Sequence, residues 1–378
     1  MSATPPDFNA LAQAGIRSLR AYDPGHDLIA LRRQAETVLT ELGANENSHG
    51  PSPKAIVAAQ ASLAEVFRYP DPLGGDLKRA LAAAIDVTGA QIVLGNGSHE
   101  LLMQFAQVFA GPGDEVIASR YGFAVYALAA QAAGARLVLA DALPADAAMP
   151  LGHDLAAILR AITPATRLIY LANPNNPTGT WYSAADFAGF MAQVPGNVIV
   201  VVDEAYAEYV DASDYASALG LLPTHPNLLV TRTFSKAHAL AALRIGYAVA
   251  HPGLIAIIER VRESFNVNSV GLAAAEASLA DIAHLQAGVA ITRRDRDALA
   301  AALRERGCKV WPSQTNFLLV EFGAATAQLE SALLAHGVVL RPMAGYGLPE
   351  CLRITVGTAE ENARLLAALD ACKGLANG

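Results

Sequence analysis

Cysteine, basic residues and long apolar runs are all scarce in this chain, and each shortage excludes a class of protein. Only 3 of the 378 residues are cysteine, and Cys308, Cys351 and Cys372 fit neither a disulfide framework nor a Cys/His metal site. The 27 basic residues are outnumbered by 35 acidic ones, which leaves no basic footprint for nucleic acid. We therefore expect reduced thiols, no metal and no nucleic-acid partner.

No membrane or export signal is visible either. The apolar runs fall short of the roughly 18–20 residues that a membrane span needs, and the start MSATPPDFNALAQAG lacks the regions of a secretory signal. We therefore predict a cytoplasmic protein without a membrane partner. Hydrophobic residues make up 53% of the chain and charged residues 16%, which excludes disorder and allows a large core.

Short apolar segments alternate with helical patterns in the middle of the chain. The predicted strands are 92–94, 116–118, 137–140, 168–172, 198–202, 228–231 and 245–250. Predicted helices include 100–109, 124–133 and 184–193, and an earlier helix begins at the Ser52-Pro53 cap. Continuous apolar strands between helices predict an α/β fold with a mainly parallel sheet that is covered on both faces.

The two ends of the chain predict a second, smaller domain. Residues 1–50 are irregular except for a helix over 28–39, and helical patterns fill 252–306. An α+β pattern follows, with strands at 317–321, 338–341 and 352–356, a helix near 325–335 and a last helix from Glu360. We expect a large domain over 46–270 and a small domain made of 1–45 and 271–378.

Polar motifs follow several of the predicted strands, at the end of the sheet where open α/β folds bind ligands. In Gly95-Asn96-Gly97-Ser98-His99-Glu100, glycines and free amides suit an anion such as phosphate, although an ordinary glycine turn would look the same. The segment Asn173-Pro174-Asn175-Asn176-Pro177-Thr178-Gly179 predicts a rigid loop that aims a side-chain amide at a ligand.

Two further motifs supply an acid and an amine. Asp203 ends an apolar strand, where a carboxylate is costly unless a cation or solvent reaches it. Lys236 closes the motif Thr231-Arg232-Thr233-Phe234-Ser235-Lys236, and Arg244 follows it. A lysine suits Schiff-base chemistry when desolvation or nearby cations lower its pKa, whereas most single lysines are solvated surface charges.

Together and in this order, the four motifs resemble the fold type I, aspartate-aminotransferase-like family of pyridoxal-phosphate enzymes. Within it, the chain is most similar to the histidinol-phosphate aminotransferases and their aromatic-aminotransferase paralogues. The resemblance covers nearly the whole chain and includes Ala44-Asn45-Glu46-Asn47, Arg68-Tyr69-Pro70-Asp71 and Leu352-Arg353-Ile354-Thr355-Val356-Gly357. It implies a large domain that binds pyridoxal 5'-phosphate, with a mostly parallel sheet between helices, and a smaller α+β domain.

The resemblance also implies roles for individual residues. Lys236 would hold the cofactor covalently and move protons, Asp203 would pair with its ring nitrogen, and Asn176 and Tyr206 would hydrogen-bond its phenolic oxygen. The residues implied for its phosphate are Gly97, Ser98, His99, Thr233, Ser235 and Arg244. Phe123 would stack on the ring, with Tyr121 as the alternative. Tyr69 would reach the phosphate of a neighbouring subunit, so the working unit would be a homodimer with shared active sites.

On the substrate side, the resemblance implies that Arg353 grips an anionic group, with Arg341, Tyr22 and Asn45 in the same pocket. The partners would be a small amino donor and an oxo acceptor. The implied reaction moves an amino group between glutamate/2-oxoglutarate and histidinol phosphate/imidazole acetol phosphate. Three alternatives stay open: an aromatic amino acid aminotransferase, an O-phospho amino acid decarboxylase, and a cofactor-binding regulator without turnover.

Three positions depart from the pattern of the family. His99 stands where an aspartate is more usual, and Ala239 and Ala242 stand where glycines are common. A phenylalanine rather than a tyrosine is expected under the cofactor ring. None of these changes removes a group that amino transfer requires.

Overall fold

A seven-stranded sheet lies at the centre of the computed structural model, which describes residues 7–23, 25–34 and 38–372. The strands of the described residues are β1 (Thr40–Glu41), β2 (Ile92–Gly95), β3 (Glu115–Ser119), β4 (Arg136–Ala140), β5 (Thr166–Ala172), β6 (Ile199–Asp203), β7 (Leu228–Thr233), β8 (Gly246–Ala250), β9 (Lys309–Val310), β10 (Phe317–Glu321), β11 (Val338–Val339), β12 (Arg341–Pro342) and β13 (Cys351–Thr355).

Helices flank these strands along the chain. Those of the described residues are α1 (Phe8–Leu11), α2 (Ala14–Arg17), α3 (Leu28–Gln34), α4 (Pro53–Ser62), α5 (Gly75–Ile85), α6 (Ser98–Phe109), α7 (Ala124–Ala132), α8 (Leu155–Arg160), α9 (Ala184–Met191), α10 (Pro252–Ile258), α11 (Ser269–Leu279), α12 (Ile282–Glu305), α13 (Thr326–Ala335) and α14 (Ala359–Ala371). No helix in these ranges is both long enough and apolar enough to cross a membrane.

The large sheet has the strand order β2-β8-β7-β6-β5-β3-β4. The pairs from β7 through β6, β5 and β3 to β4 are parallel, and β8 runs antiparallel to both of its neighbours. The predicted α/β fold with a mainly parallel sheet is therefore confirmed. Because β-strand side chains alternate in direction, Ile169 and Leu171 enter one apolar cluster, whereas Leu168 and Tyr170 enter another. Both faces are buried, which explains the continuous apolar runs.

The C-terminal part forms a four-stranded antiparallel sheet in the order β12-β13-β10-β9. β1 pairs in parallel with β11, which joins the N-terminal segment to the C-terminal part. The expected boundary at residue 270 falls at the start of α11, and this helix packs on α4 and α5. The domain limits 46–270, 1–45 and 271–378 stay predictions.

Several element limits differ from the sequence expectation. The helix predicted over 28–39 is α3, Leu28–Gln34; residues 35–37 lie outside the described ranges, and Thr40 already begins a strand. The helical stretch 252–306 consists of three helices with breaks between them, and 338–341 contains two short strands. The cap at Ser52 agrees with the prediction, because its hydroxyl accepts a hydrogen bond from the Lys54 amide at 3.1 Å.

Candidate active site

A cavity of about 390 Å³ opens where the central parallel strands end. Ala172, Asp203 and Thr233, the last residues of β5, β6 and β7, all line it. Other residues predicted from the sequence also line it: Tyr22, Asn45, Ser98, His99, Phe123, Asn176, Tyr206, Ser235, Lys236, Arg244 and Arg353. The fold therefore brings the four motifs to one cavity, although they lie up to about 140 residues apart in the chain.

Lys236 presents a partly desolvated amine to this cavity. Burial is the main cause that lowers its pKa to about 8, and the positive charge of Arg353 acts in the same direction. Its Nζ donates to the backbone carbonyl of Asn45 at 3.0 Å. An amine with this pKa is neutral in a substantial fraction of molecules near neutral pH, which is the form that attacks a carbonyl.

Asp203 is a buried carboxylate, with only 6% of its surface exposed. Burial raises its pKa to about 6, while hydrogen bonds oppose that rise. The Thr231 hydroxyl donates to Oδ1 at 3.1 Å and the Tyr126 hydroxyl to Oδ2 at 3.2 Å. Within the described ranges no cationic side chain forms an ion pair with Asp203. The site therefore fits a ligand that brings a positive N–H to this carboxylate.

The start of α6 forms a cradle for an anion. Gly97 precedes the helix with a φ of 82°, and a Cβ there would lie 2.3 Å from Nη2 of Arg244. A Cβ added at Gly246 would lie 2.3 Å from the amide nitrogen of Ser98, so the glycine lets the start of α6 pack closely on β8. Arg244 Nη1 donates to the Ser235 hydroxyl at 3.4 Å. Free helix amides, a hydroxyl and a guanidinium together suit a phosphate group.

Phe123, rather than Tyr121, faces the cavity. Its ring lines the cavity and lies edge-on to Tyr126 at a centroid distance of 5.9 Å. Tyr121 packs against the separate apolar cluster that contains Trp311, and its carbonyl accepts a hydrogen bond from Asn175 at 2.9 Å. An aromatic face is therefore available for a flat ring in the cavity.

Arg353 adds a further positively charged side chain to the lining of the cavity, which also includes Lys236 and Arg244. Arg353 on β13 is only 8% exposed; its Nη1 donates to Asn176 Oδ1 at 2.7 Å and its Nη2 to the Gly43 carbonyl at 2.8 Å. Its Nε has no hydrogen-bond partner, and no carboxylate pairs with it within the described ranges. Asn45 Nδ2 donates to the Tyr206 hydroxyl at 3.0 Å. A buried guanidinium with spare N–H groups suits an anionic substrate.

The chain matches the family model for aminotransferase class I and II over residues 37–369. It is 44% identical over 366 residues to histidinol-phosphate aminotransferase 2 of Pseudomonas fluorescens, with 96% of this chain and 97% of the relative covered. The chain belongs to the class I and II aminotransferase family. The predicted family resemblance is thereby confirmed.

Solved structures support the same assignment for this aminotransferase. Histidinol-phosphate aminotransferase from Sinorhizobium meliloti, in complex with pyridoxal-5'-phosphate, superposes with a TM-score of 0.87 at 31% identity, and covers 96% of this chain and 97% of its own. Aspartate aminotransferase from Thermus thermophilus gives a TM-score of 0.81 at 25% identity, with 92% and 94% covered. The predicted aspartate-aminotransferase-like fold is confirmed.

Three residues proposed for the site of this aminotransferase do not line the cavity. Gly97 directly precedes α6 and is not among the residues that line the cavity. Arg341 was expected in the substrate pocket, but its Nη2 donates to the Asp23 carbonyl at 2.6 Å. Tyr69 is 82% exposed and stacks on Phe265 at 4.7 Å, so it lies on the surface of its own chain.

Two residues that contact Asp203 were missed at the sequence level. Thr231 is the neighbour of Asp203 in the β6–β7 register, so a polar residue inside the adjacent apolar strand was a usable signal. Tyr126 reaches the carboxylate from α7, three residues after Phe123. Its apolar surroundings indicate core packing, and its role is visible only once the helix is placed on the sheet.

Proposed function

We propose that this aminotransferase uses pyridoxal 5'-phosphate to move an amino group between glutamate/2-oxoglutarate and histidinol phosphate/imidazole acetol phosphate. The observation that carries the proposal is that one cavity holds both the Lys236 amine and the Asp203 carboxylate. Among the described residues, no cationic side chain forms an ion pair with this carboxylate. The names of the similar proteins support the substrate pair and the cofactor. The residues present fit the cofactor, because a cradle for its phosphate, an aromatic face and an acid for its ring nitrogen surround the amine.

When bound, pyridoxal 5'-phosphate supplies an electron sink next to the amino-bearing carbon of the substrate. Asp203 would keep a proton on the ring nitrogen, since no cationic side chain of the described residues forms an ion pair with this desolvated carboxylate. Lys236 would hold the cofactor covalently, and its freed Nζ would take the proton from the amino-bearing carbon of the substrate and deliver it to the cofactor carbon that keeps the amino group. Because its pKa is about 8, this amine both accepts and donates protons near neutral pH.

The neighbouring side chains have hydrogens left for the cofactor. Asn176 uses Oδ1 for Arg353, so its Nδ2 remains free to donate to the phenolic oxygen. Tyr206 accepts from Asn45, so its own hydroxyl hydrogen can donate to the same oxygen. Arg353 uses two of its five N–H groups on Asn176 and Gly43 and keeps three for the anionic end of the substrate.

The decisive experiment replaces the amine. Lys236→Ala should lose amino transfer and the visible absorbance of the covalently held cofactor, whereas the surface variant Lys54→Ala should keep both. A donor panel scored by kcat/KM should rank histidinol phosphate above phenylalanine and tyrosine. Full activity of Lys236→Ala would refute the mechanism, and release of carbon dioxide without consumption of 2-oxoglutarate would indicate a decarboxylase.

The aromatic wall of the cavity favours a second candidate. Tyr22 and Phe123 line the cavity, and apolar rings accept phenyl side chains as readily as imidazole. An aromatic amino acid aminotransferase would show the reverse order in the donor panel. The anionic group gripped by Arg353 would then be a carboxylate instead of a phosphate.

We also propose a cytoplasmic homodimer in which each active site receives Tyr69 from the neighbouring subunit. Tyr69 belongs to an exposed apolar patch, which we define as Ile56, Val57, Val66, Phe67 and Tyr69; each is at least 43% exposed. A patch of this kind on the surface is typical of a protein interface. Cys308, Cys351 and Cys372 are free thiols, which supports a reducing compartment.

A further inference from the structure

Three aromatic side chains meet at one wall of the active-site cavity. Tyr22 lies edge-on to His99, with ring centroids 6.0 Å apart and planes at 81°. It also lies edge-on to Phe123, at 6.5 Å and 74°. All three line the cavity, but Tyr22 is 45% exposed and therefore stands at the mouth.

Tyr22 belongs to a segment that is also attached on its other side. The next residue, Asp23, accepts a hydrogen bond at its carbonyl from Arg341 Nη2 at 2.6 Å. Gly25 packs so closely on the Arg341 side chain that a Cβ would lie 2.1 Å from Nη1. We call Tyr22, Asp23 and Gly25 the strap. It is held by Arg341 of the C-terminal part and by rings of the cavity wall.

His99 offers a firm support for this strap. It is the second residue of α6, and the buried Leu101, Leu102 and Phe105 anchor that helix beneath the sheet. No described residue forms a hydrogen bond to the nitrogens of its ring. Burial, and then the charge of Arg244, lower the pKa of His99 below its usual value. The edge-on geometry identifies the contact with Tyr22 as ring packing.

We propose that His99 is a positioning residue that holds Tyr22 over the mouth of the cavity, where Tyr22 encloses the flat ring of a substrate side chain. The inference rests on the proposed function, because it assigns His99 to substrates with an imidazole or aromatic ring. Replacing the His99 ring removes one ring contact of Tyr22 and leaves the Phe123 ring and the Arg341 bond to the strap in place. Substrates without a ring do not use this wall.

Trypsin tests the strap without using catalysis. Arg20 is exposed and lies two residues before Tyr22, so release of Tyr22 should speed cleavage after Arg20. In the cofactor-loaded enzyme, we expect His99→Ala and Tyr22→Ala to be cut several-fold faster than the unmodified protein. His99→Phe, which keeps a ring, should be cut at the normal rate. Phe8→Ala is the control, since Phe8 is an exposed ring of the same N-terminal region.

Steady-state kinetics test the consequence for substrate. An aromatic pair of this kind predicts that the KM for histidinol phosphate rises roughly three- to tenfold more than the KM for glutamate in His99→Ala. Glutamate has no ring and loses no contact with Tyr22, so the ratio of the two KM values is the readout, whatever the change in kcat. The double variant His99→Ala/Tyr22→Ala should be no worse than Tyr22→Ala, because both changes remove one contact.

The outcomes separate this inference from the proposed function. If the unmodified enzyme does not transfer amino groups, the proposed function fails, while the trypsin comparison still decides whether His99 holds the strap. Normal cleavage of His99→Ala, or equally fast cleavage of His99→Phe and His99→Ala, overturns the inference. So do additive effects in the double variant and an equal rise of KM for glutamate and histidinol phosphate.

Discussion

Buried Asp203 and half-buried Lys236 define the chemistry of the cavity at the scale of single residues. Desolvation moves their pKa values in opposite directions, because it favours the neutral form of each: the pKa of the acid rises to about 6 and that of the amine falls to about 8. Groups with such shifts are common where protons are transferred. Each shift predicts a pH dependence that can be measured.

The first prediction concerns attachment of the cofactor to the cofactor-free protein. Only the neutral Lys236 amine reacts, so the attachment rate should rise about tenfold per pH unit below the pKa and level off above it. With a pKa of about 8, the rate should be half-maximal near pH 8. Stopped-flow absorbance after mixing with pyridoxal 5'-phosphate measures this rate. If the rate keeps rising up to the usual pKa of a lysine side chain, about 10.4, the lowered pKa of Lys236 is contradicted.

The second prediction concerns Tyr126→Phe. The Tyr126 hydroxyl donates to Asp203 and lowers the pKa of that carboxylate, so its removal should raise this pKa further. Cofactor affinity should then fall as the pH drops through a midpoint that lies above the unmodified value of about 6. We expect kcat/KM to fall roughly ten- to a hundredfold, since a hydrogen bond to a charged group is worth about 1.5–3 kcal/mol.

Tyr170→Phe is the matched control for Tyr126→Phe. Tyr170 stacks on Tyr126 at 4.9 Å and donates to the Leu102 carbonyl at 2.6 Å, away from Asp203. Its loss should change the free energy of unfolding without moving the pH midpoint of cofactor binding. A midpoint that moves equally in both variants would assign the effect to core packing and not to the hydrogen bond.

The segment between Lys236 and Arg244 shows how an element holds the reactive group. Ala239 has a φ of 56° and Arg244 a φ of 58°, both in the left-handed region that favours glycine. Ala242 lies inside the short 3-10 turn Ala241–Leu243 and is not in that region. The two alanines that depart from the family pattern are therefore in different conformational situations.

The third prediction follows from this difference. Ala239→Gly relieves a left-handed alanine and should raise the free energy of unfolding by about 0.5–1 kcal/mol. Ala242→Gly should lower it by about 0.5–1 kcal/mol, since glycine only adds freedom to the unfolded chain there. Denaturant unfolding of the cofactor-free protein compares the two variants. A loss of stability in both would show that the conformation of Ala239 costs little.

Long buried strands and very short strands differ in how well a sequence predicts them. Apolar runs such as 198–202 predict the strands of the large sheet, because a strand buried on both faces is apolar along its whole length. The two-residue strands β1 and β11 carry no such pattern. They exist because residues almost 300 positions apart pair with each other. Element limits at the two ends of the chain were therefore the least accurate.

The candidate site also contains residues that the sequence predicts and contacts that it does not. Polar motifs follow the predicted strands, and the family resemblance assigns Ser98, Asn176, Asp203 and Lys236 to the cofactor; all four line the cavity. The hydrogen bond between Arg341 and the Asp23 carbonyl spans 318 positions of the chain. No local pattern records such a contact, so Arg341 was expected in the pocket itself.

At the scale of the whole molecule, the cavity depends on both ends of the chain. Asn45 donates to Tyr206 at 3.0 Å, and Arg353 donates to Asn176 at 2.7 Å. Each bond joins the N-terminal or C-terminal part to a residue that follows a strand of the large sheet. The exposed apolar patch around Tyr69 adds a further surface, which a second subunit would cover.

The fourth prediction tests whether Tyr69 acts across subunits. In a shared site, Lys236→Ala and Tyr69→Ala chains form hybrid dimers with one intact site and one doubly altered site. Refolding an equal mixture should therefore restore about a quarter of the unmodified activity, well above either variant alone. Size-exclusion chromatography confirms that the mixture is dimeric. The control mixture combines Lys236→Ala with Asp203→Ala, because both side chains line the cavity of one chain and no intact site should form. If Tyr69 serves only its own chain, both mixtures stay equally inactive, and the shared site is refuted.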